Sequence, residues 1–248
     1  MPPYRNPQPP YGSGRTPGTA HVWLFAGLGA LVVALVAVTA VVVVTRDSGG
    51  QQGLGTTTTS TSAGTTTATS TTPAPVIAGY QTVVPNDLRA AWDVPKDWTV
   101  DTSHSSMNSA TDSVPVAGLA YEGVGYCTDN VRTQMFLTQT KIADTAAAAA
   151  DIATRMARIG WTTNTSIVPG TAEPFDSSSH ALHGVYLETT GTFTAADASC
   201  AKTFAVHTFA VSGGSAGALV LAIGADTGVD RSVTRDFARR LLATLRLF

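Results

Sequence analysis

Gly213-Gly214-Ser215-Ala216-Gly217 has the G-x-S-x-G spacing in which a serine held on a tight turn acts as a nucleophile. That chemistry needs a strand before the serine, a helix after it and a histidine downstream to take its proton. In this chain ALVLAIGA follows the motif and reads as a strand, while the last histidine, His207, lies upstream. The residues favour a glycine-rich hairpin turn that uses positive φ, with a serine hydrolase centred on Ser215 as the alternative. His180 and His183 form an H-x-x-H pair, a spacing that could suit metal ligands. On a strand, residues three apart face opposite sides, so the pair converges only in a loop, and His104 and His207 stand at no helpful distance. Gly123-Val124-Gly125 begins a dinucleotide fingerprint but lacks its third glycine and following helix. Glu122, Glu173 and Glu188, the only glutamates, are too scattered for paired acid and base work. No catalytic residue, metal site or cofactor is expected.

Cys127 and Cys200 are the only cysteines. In an oxidising compartment such an isolated pair reads as one disulfide, worth roughly 4 kcal/mol by loop entropy. A redox or metal pair would call for closer spacing or nearby histidines. Arg231, Arg235, Arg239, Arg240 and Arg246 crowd the C-terminus, and Arg231, Arg235 and Arg239 are candidates for docking anionic headgroups or an acidic partner. Asp230 and Asp236 among them point equally to a solvated helix face.

These residues sit in a chain of very uneven composition. Residues 1–20 are rich in Pro and Gly, with Arg5 and Arg15 and no acid, and read as a cytoplasmic tail. Residues 21–45 contain Val22 to Val44, 23 residues without a charge, or roughly 35 Å of helix, enough to cross a ~30 Å hydrocarbon core. A cleaved signal peptide is the competing reading, through Val38-Thr39-Ala40. The positive N-terminal flank orients the segment with its N-terminus in the cytoplasm and its C-terminal side outside. Residues 46–75 include SGGQQGLGTTTTSTSAGTTTATSTTPAP, with eleven threonines, and read as a disordered stalk open to O-glycosylation.

Residues 76–248 form the segment able to build a core. Its 16 acids and 12 bases give a net charge of about −4, which argues against nucleic acid as a partner. Expected partners are the membrane itself and an envelope lipid, a cell-wall component or a membrane protein. The excess of Arg over Lys, with abundant Ala, Thr and Val, suggests a high-GC bacterium.

The pattern predicts QTVVP as a short strand, a helical turn over Asn86–Ala90, and a hairpin of LAYEGVGY and VRTQMFLTQTKI. A helix follows from Asp144 or Thr145, with Ile152, Met156 and Ile159 as its stripe, Gly160 as a left-handed C-cap and Trp161 as the accompanying contact. Three strands come next, HALHGVYLETTGTF, CAKTFAVHTFAV and ALVLAIGA. A last helix begins near Asp230, with Val233, Phe237, Leu241 and Leu245 on its apolar face. In WDVPKDWTV, Pro95 sets a turn over Lys96 and Asp97 that lets Trp92 and Trp98 serve one core. The order makes an α+β domain, an antiparallel sheet flanked by helices.

With VPKDW, the helix ending IGW and the terminal FARRLLATLRLF in this arrangement, residues 80–248 resemble the PsbP-like α/β/α sandwich. The likeness is to the LpqN-type lipoproteins of mycolic-acid actinobacteria in particular. That resemblance implies a binding or accessory module of the cell envelope without catalysis. The transmembrane segment in place of a lipidated cysteine, and the Cys127 and Cys200 pair, set this chain apart from those lipoproteins.

Overall fold

The computed structural model describes residues 72–248 except positions 86, 129 and 180. The expected tail, membrane helix, most of the threonine-rich segment and His180 lie outside the described residues. Among the described residues no helix is long and apolar enough to cross a membrane.

The chain begins with β1 (Tyr80–Val83), β2 (Ala90–Pro95) and β3 (Thr99–Asp101), and a small hairpin of β4 (Ser106–Asn108) and β5 (Ser113–Pro115). Then come β6 (Ala117–Glu122), β7 (Thr133–Thr140), α1 (Thr145–Gly160), β8 (Asn164–Pro169) and β9 (Glu173–Asp176). The remainder is β10 (His183–Phe193), β11 (Thr203–Ser212), β12 (Ala218–Thr227), α2 (Arg235–Leu242) and β13 (Arg246–Leu247). The main sheet runs β3-β6-β7-β12-β11-β10-β8, with β9 also paired to β10, and its ladders are antiparallel. A second sheet is ordered β1-β2-β13.

Alternation along the central strands gives the main sheet two buried faces. Met135 and Leu137 of β7 and Leu219, Leu221 and Ile223 of β12 join one core, completed by Trp92, Trp98 and Leu241 from the second sheet, the β2–β3 turn and α2. Phe136, Val220 and Ala222 point to the other core, under Ala149, Ile152, Ala153 and Met156 of α1. The α+β architecture is therefore a large sheet with α1 on one face and α2 plus a small sheet on the other. Trp98 closes its turn by donating its N–H to the Pro95 carbonyl at 3.2 Å.

Asp144 caps α1, its carboxylate accepting from Ala147 N at 2.7 Å. Gly160 differs from expectation: it stays within the helix, outside the left-handed region, and the cap is Trp161 at φ −125°. The indole is fixed by tertiary contacts on the sheet, and these end the helix where a glycine turn was expected. The helical turn at Asn86–Ala90 is likewise absent over Asp87–Arg89, which bend through a positive φ at Arg89 so that Ala90 can start β2. The last helix starts later than Asp230, because Arg231 turns through φ 62° and Thr234 supplies the cap, accepting from Phe237 N at 3.2 Å. Val233, expected on the apolar face of that helix, precedes it, and Leu245 follows it, although both are buried; Arg246 lies beyond, in β13.

Candidate functional site

Ser215 stands exposed on a single 3-10 turn, Gly214–Ala216, at the tip of the β11–β12 hairpin, and a strand follows it where a nucleophile elbow would have a helix. His207 lies five residues down β11 from the last rung of that hairpin, roughly 17 Å away. It is buried, and its Nδ1 is 2.8 Å from the Tyr186 hydroxyl. His183 opens β10 and pairs with Asp176 at the surface at 2.9 Å. Among the described residues no cluster of His, Cys, Asp and Glu could hold a metal ion. Gly123 and Gly125 both adopt positive φ in a turn that leaves Val124 69% exposed.

The C-terminal arginines divide between two places. Arg231 pairs with Asp97 at 3.0 Å. Arg235 and Arg239 converge on Glu173, whose carboxyl they hold below the usual carboxylate range, and they lie over the rings of Tyr186 and Phe175. Each of the three thus already has an acidic partner within the domain.

Chemistry gathers instead where α1 ends over the sheet. Asp226, near the end of β12, is only 5% exposed. Its Oδ1 accepts from the Trp161 indole at 2.6 Å and its Oδ2 from the Tyr126 hydroxyl. Burial pushes this carboxyl up to about 7. Trp161 is held by stacking on Phe204, with centroids 4.3 Å apart. Tyr126 is placed by its neighbour, because Cys127 forms the disulfide with Cys200, tying the β6–β7 loop to the segment before β11. On the same side Arg132 forks onto the buried Glu122, with Nε to Oε1 at 3.0 Å and Nη2 to Oε2 at 2.6 Å. Thr133 adds a third bond to that carboxylate at 2.8 Å.

Of these groups Asp226, Trp161 and Arg132 line a cleft of about 620 Å³, within the size range of ligand sites. Asn130, Gln134, Phe193 and Asp226 line it, together with Thr162 and Thr194. Among the described residues the side chains of Asn130, Gln134, Thr162 and Thr194 make no hydrogen bond, so they are free to meet a ligand. Arg132 is neutralised by Glu122, and the Asp226 carboxyl is occupied by two donors. The cleft therefore offers neutral hydrogen-bonding groups around a half-buried phenyl ring.

A family profile described as a domain of unknown function, DUF8017, matches residues 73–248. The chain belongs to that family. No curated protein matches it. Among solved structures, the cyanobacterial PsbP (CyanoP) from Synechocystis sp. PCC 6803 is similar at 10% identity and a TM-score of 0.38. The match covers 72% of this chain and 98% of that one. The family span contains the whole Asp226 cleft and both cysteines.

Sequence reasoning missed Asp226, which looks like a turn acid in GADTG. The one available signal was a carboxylate at the end of an otherwise continuous apolar strand, a place where an acid needs donors to be buried.

Proposed function

We propose that this chain is a single-pass membrane protein that displays a non-catalytic binding domain on the outer face of a bacterial cell. In that role it is an accessory of the cell envelope, and the Asp226 cleft receives a neutral, hydroxyl-rich ligand of the saccharide class. The observation that carries the ligand reading is the set of uncommitted amide and hydroxyl side chains, Asn130, Gln134, Thr162 and Thr194, around Phe193. Sugar hydroxyls both donate and accept, as amides and threonines do, and the C–H face of a pyranose suits a phenyl ring. A charged ligand finds no free counter-ion, since Arg132 and Glu122 satisfy each other.

Topology supports the outward placement: an uncharged 23-residue run with its positive flank on the N-terminal side, then a threonine-rich segment, then a domain with a disulfide. The sequence likeness to PsbP-like and LpqN-type envelope proteins supports an accessory role. Calorimetric titration of the full-length protein with neutral disaccharides of glucose and N-acetylglucosamine tests the reading. Saturable binding is expected, weakened about tenfold by Gln134→Ala, the loss of roughly one hydrogen bond. No binding by any of these sugars, or binding indifferent to Gln134→Ala, rejects it.

A further inference from the structure

A second cavity, of about 700 Å³, opens where β6 parts from β7. The β6–β7 ladder stops at Ala117↔Leu137 with an irregular register, whereas β12 stays paired with β7 as far as Thr140. Three residues of β7, Thr138 to Thr140, therefore have a ladder partner on one side only, since β5 passes alongside without pairing to β7. A Cβ on Gly217 would collide with the Thr140 carbonyl oxygen, so Thr140 turns its backbone groups toward β12. Backbone groups alternate sides along a strand, which aims the N–H and C=O of Gln139 the other way, into the cavity. Counting on from Ala117↔Leu137, the residue that would face Gln139 is Pro115, which has no N–H to give.

The walls fit this open edge. Leu88, Val116 and Leu137 supply apolar surface. Thr138, 1% exposed and lining the cavity, has a hydroxyl without a hydrogen-bond partner. Lys141 and Asp87 also line the cavity, and neither makes an ion pair among the described residues. We propose that this edge is a docking site for a short extended peptide segment of a partner protein. Such a segment adds to β7 by exchanging backbone hydrogen bonds with Gln139, seats an apolar side chain against Leu88, Val116 and Leu137, and carries an acidic residue toward Lys141 and a basic one toward Asp87. An extended peptide is the ligand whose backbone carries a donor and an acceptor in the spacing a strand edge presents. The charges of opposite sign select its composition and direction.

The test uses the full-length protein and a synthetic library of capped hexapeptides with apolar centres and Glu and Lys at opposite ends. Binding members are expected to slow amide exchange of Gln139 at least tenfold. N-methylation of the central peptide residue, which removes one donor and keeps the side chain, should weaken binding at least tenfold. Lys141→Glu should switch the preferred terminal residue on its side from Glu to Lys. The proposal is overturned if no member binds at 1 mM, if N-methylated and parent peptides bind alike, or if protection appears away from Gln139. Competition by the sugars of the Asp226 cleft would also overturn it, because the two sites share no lining residue.

Discussion

Two buried titratable side chains act on stability in opposite directions over the same pH range. Asp226 rises from its ordinary 3.8 to about 7 through burial, so between those values the folded state holds a proton the unfolded chain has released. Its contribution is largest at low pH and is lost as pH climbs toward 7. His207, between Tyr186, Glu188 and Arg235, falls from 6.5 to about 4 through burial, with Arg235 adding repulsion. Here the unfolded chain binds the proton, so this contribution is present above 6.5 and is lost as pH falls toward 4. Allowing for water in the cleft, the Asp226 contribution is on the order of 2 kcal/mol, and that of His207, which lies away from the cleft, is about 3 kcal/mol, so the two largely cancel. Chemical denaturation of the unmodified protein should therefore show a shallow pH dependence between pH 4 and 7. Asp226→Asn should leave stability rising with pH there, and His207→Asn should leave it falling. A flat profile in both variants would refute the assignment. Neither behaviour was legible in the sequence, since the burial that causes it comes from Trp161 and Tyr126 at one site and Tyr186 at the other, all distant along the chain.

Elements whose signals are local were readable, and those that depend on distant partners were not. Asp144 with its alanine run specified α1, and β10, β11 and β12 announced themselves by aromatic and β-branched runs between Ser, Gly and Thr turns. The sheet β1-β2-β13 was not foreseeable, because its two-residue strand Arg246–Leu247 has no pattern and exists only by pairing with Ala90 and Ala91. The cleft escaped for the same reason, since its residues come from β4, β7, β10, β12, the end of α1 and three loops. The break between β6 and β7 is a further case: Gly118 sits at φ 64° within the register shift. A Cβ there would lie 2.8 Å from Trp92 Cη2 and 2.9 Å from Val83 Cγ1. Gly118→Ala combines a left-handed backbone with overpacking, and should destabilise the domain by about 2 to 4 kcal/mol in urea titration. Gly125→Ala serves as the control, because its φ is also positive but nothing lies within 4 Å of the added Cβ. It should lose only about 1 to 2 kcal/mol. Equal losses would remove the packing half of the argument.

At the scale of the molecule, the start and end of the described chain are fastened at one point. Asp93, fully buried, accepts from the backbone N–H of Val76 at 2.5 Å and of Ile77 at 3.0 Å, and from Arg246 Nη1 at 3.0 Å. Arg246 Nη2 in turn donates to the Ala74 carbonyl at 3.1 Å. In the proposed topology the domain would hang from this point, and load on the threonine-rich segment would fall on a charged, multiply bonded clamp and not on the edge of the sheet. The Asp226 cleft would then face the cell exterior, where Cys127 and Cys200 remain oxidised. Two variants, each with one added cysteine, test the arrangement in intact cells with a membrane-impermeant maleimide, since the native cysteines are paired and do not react. Thr102→Cys, exposed in the loop after β3, should label without permeabilisation, whereas Ser13→Cys should label only after it. Protection of Thr102→Cys would place the domain inside. Release of labelled domain into the medium would show that the apolar segment is cleaved as a signal peptide. Either result would end the proposal of a tethered module while leaving the sugar and peptide titrations, which need no membrane, to stand or fall independently.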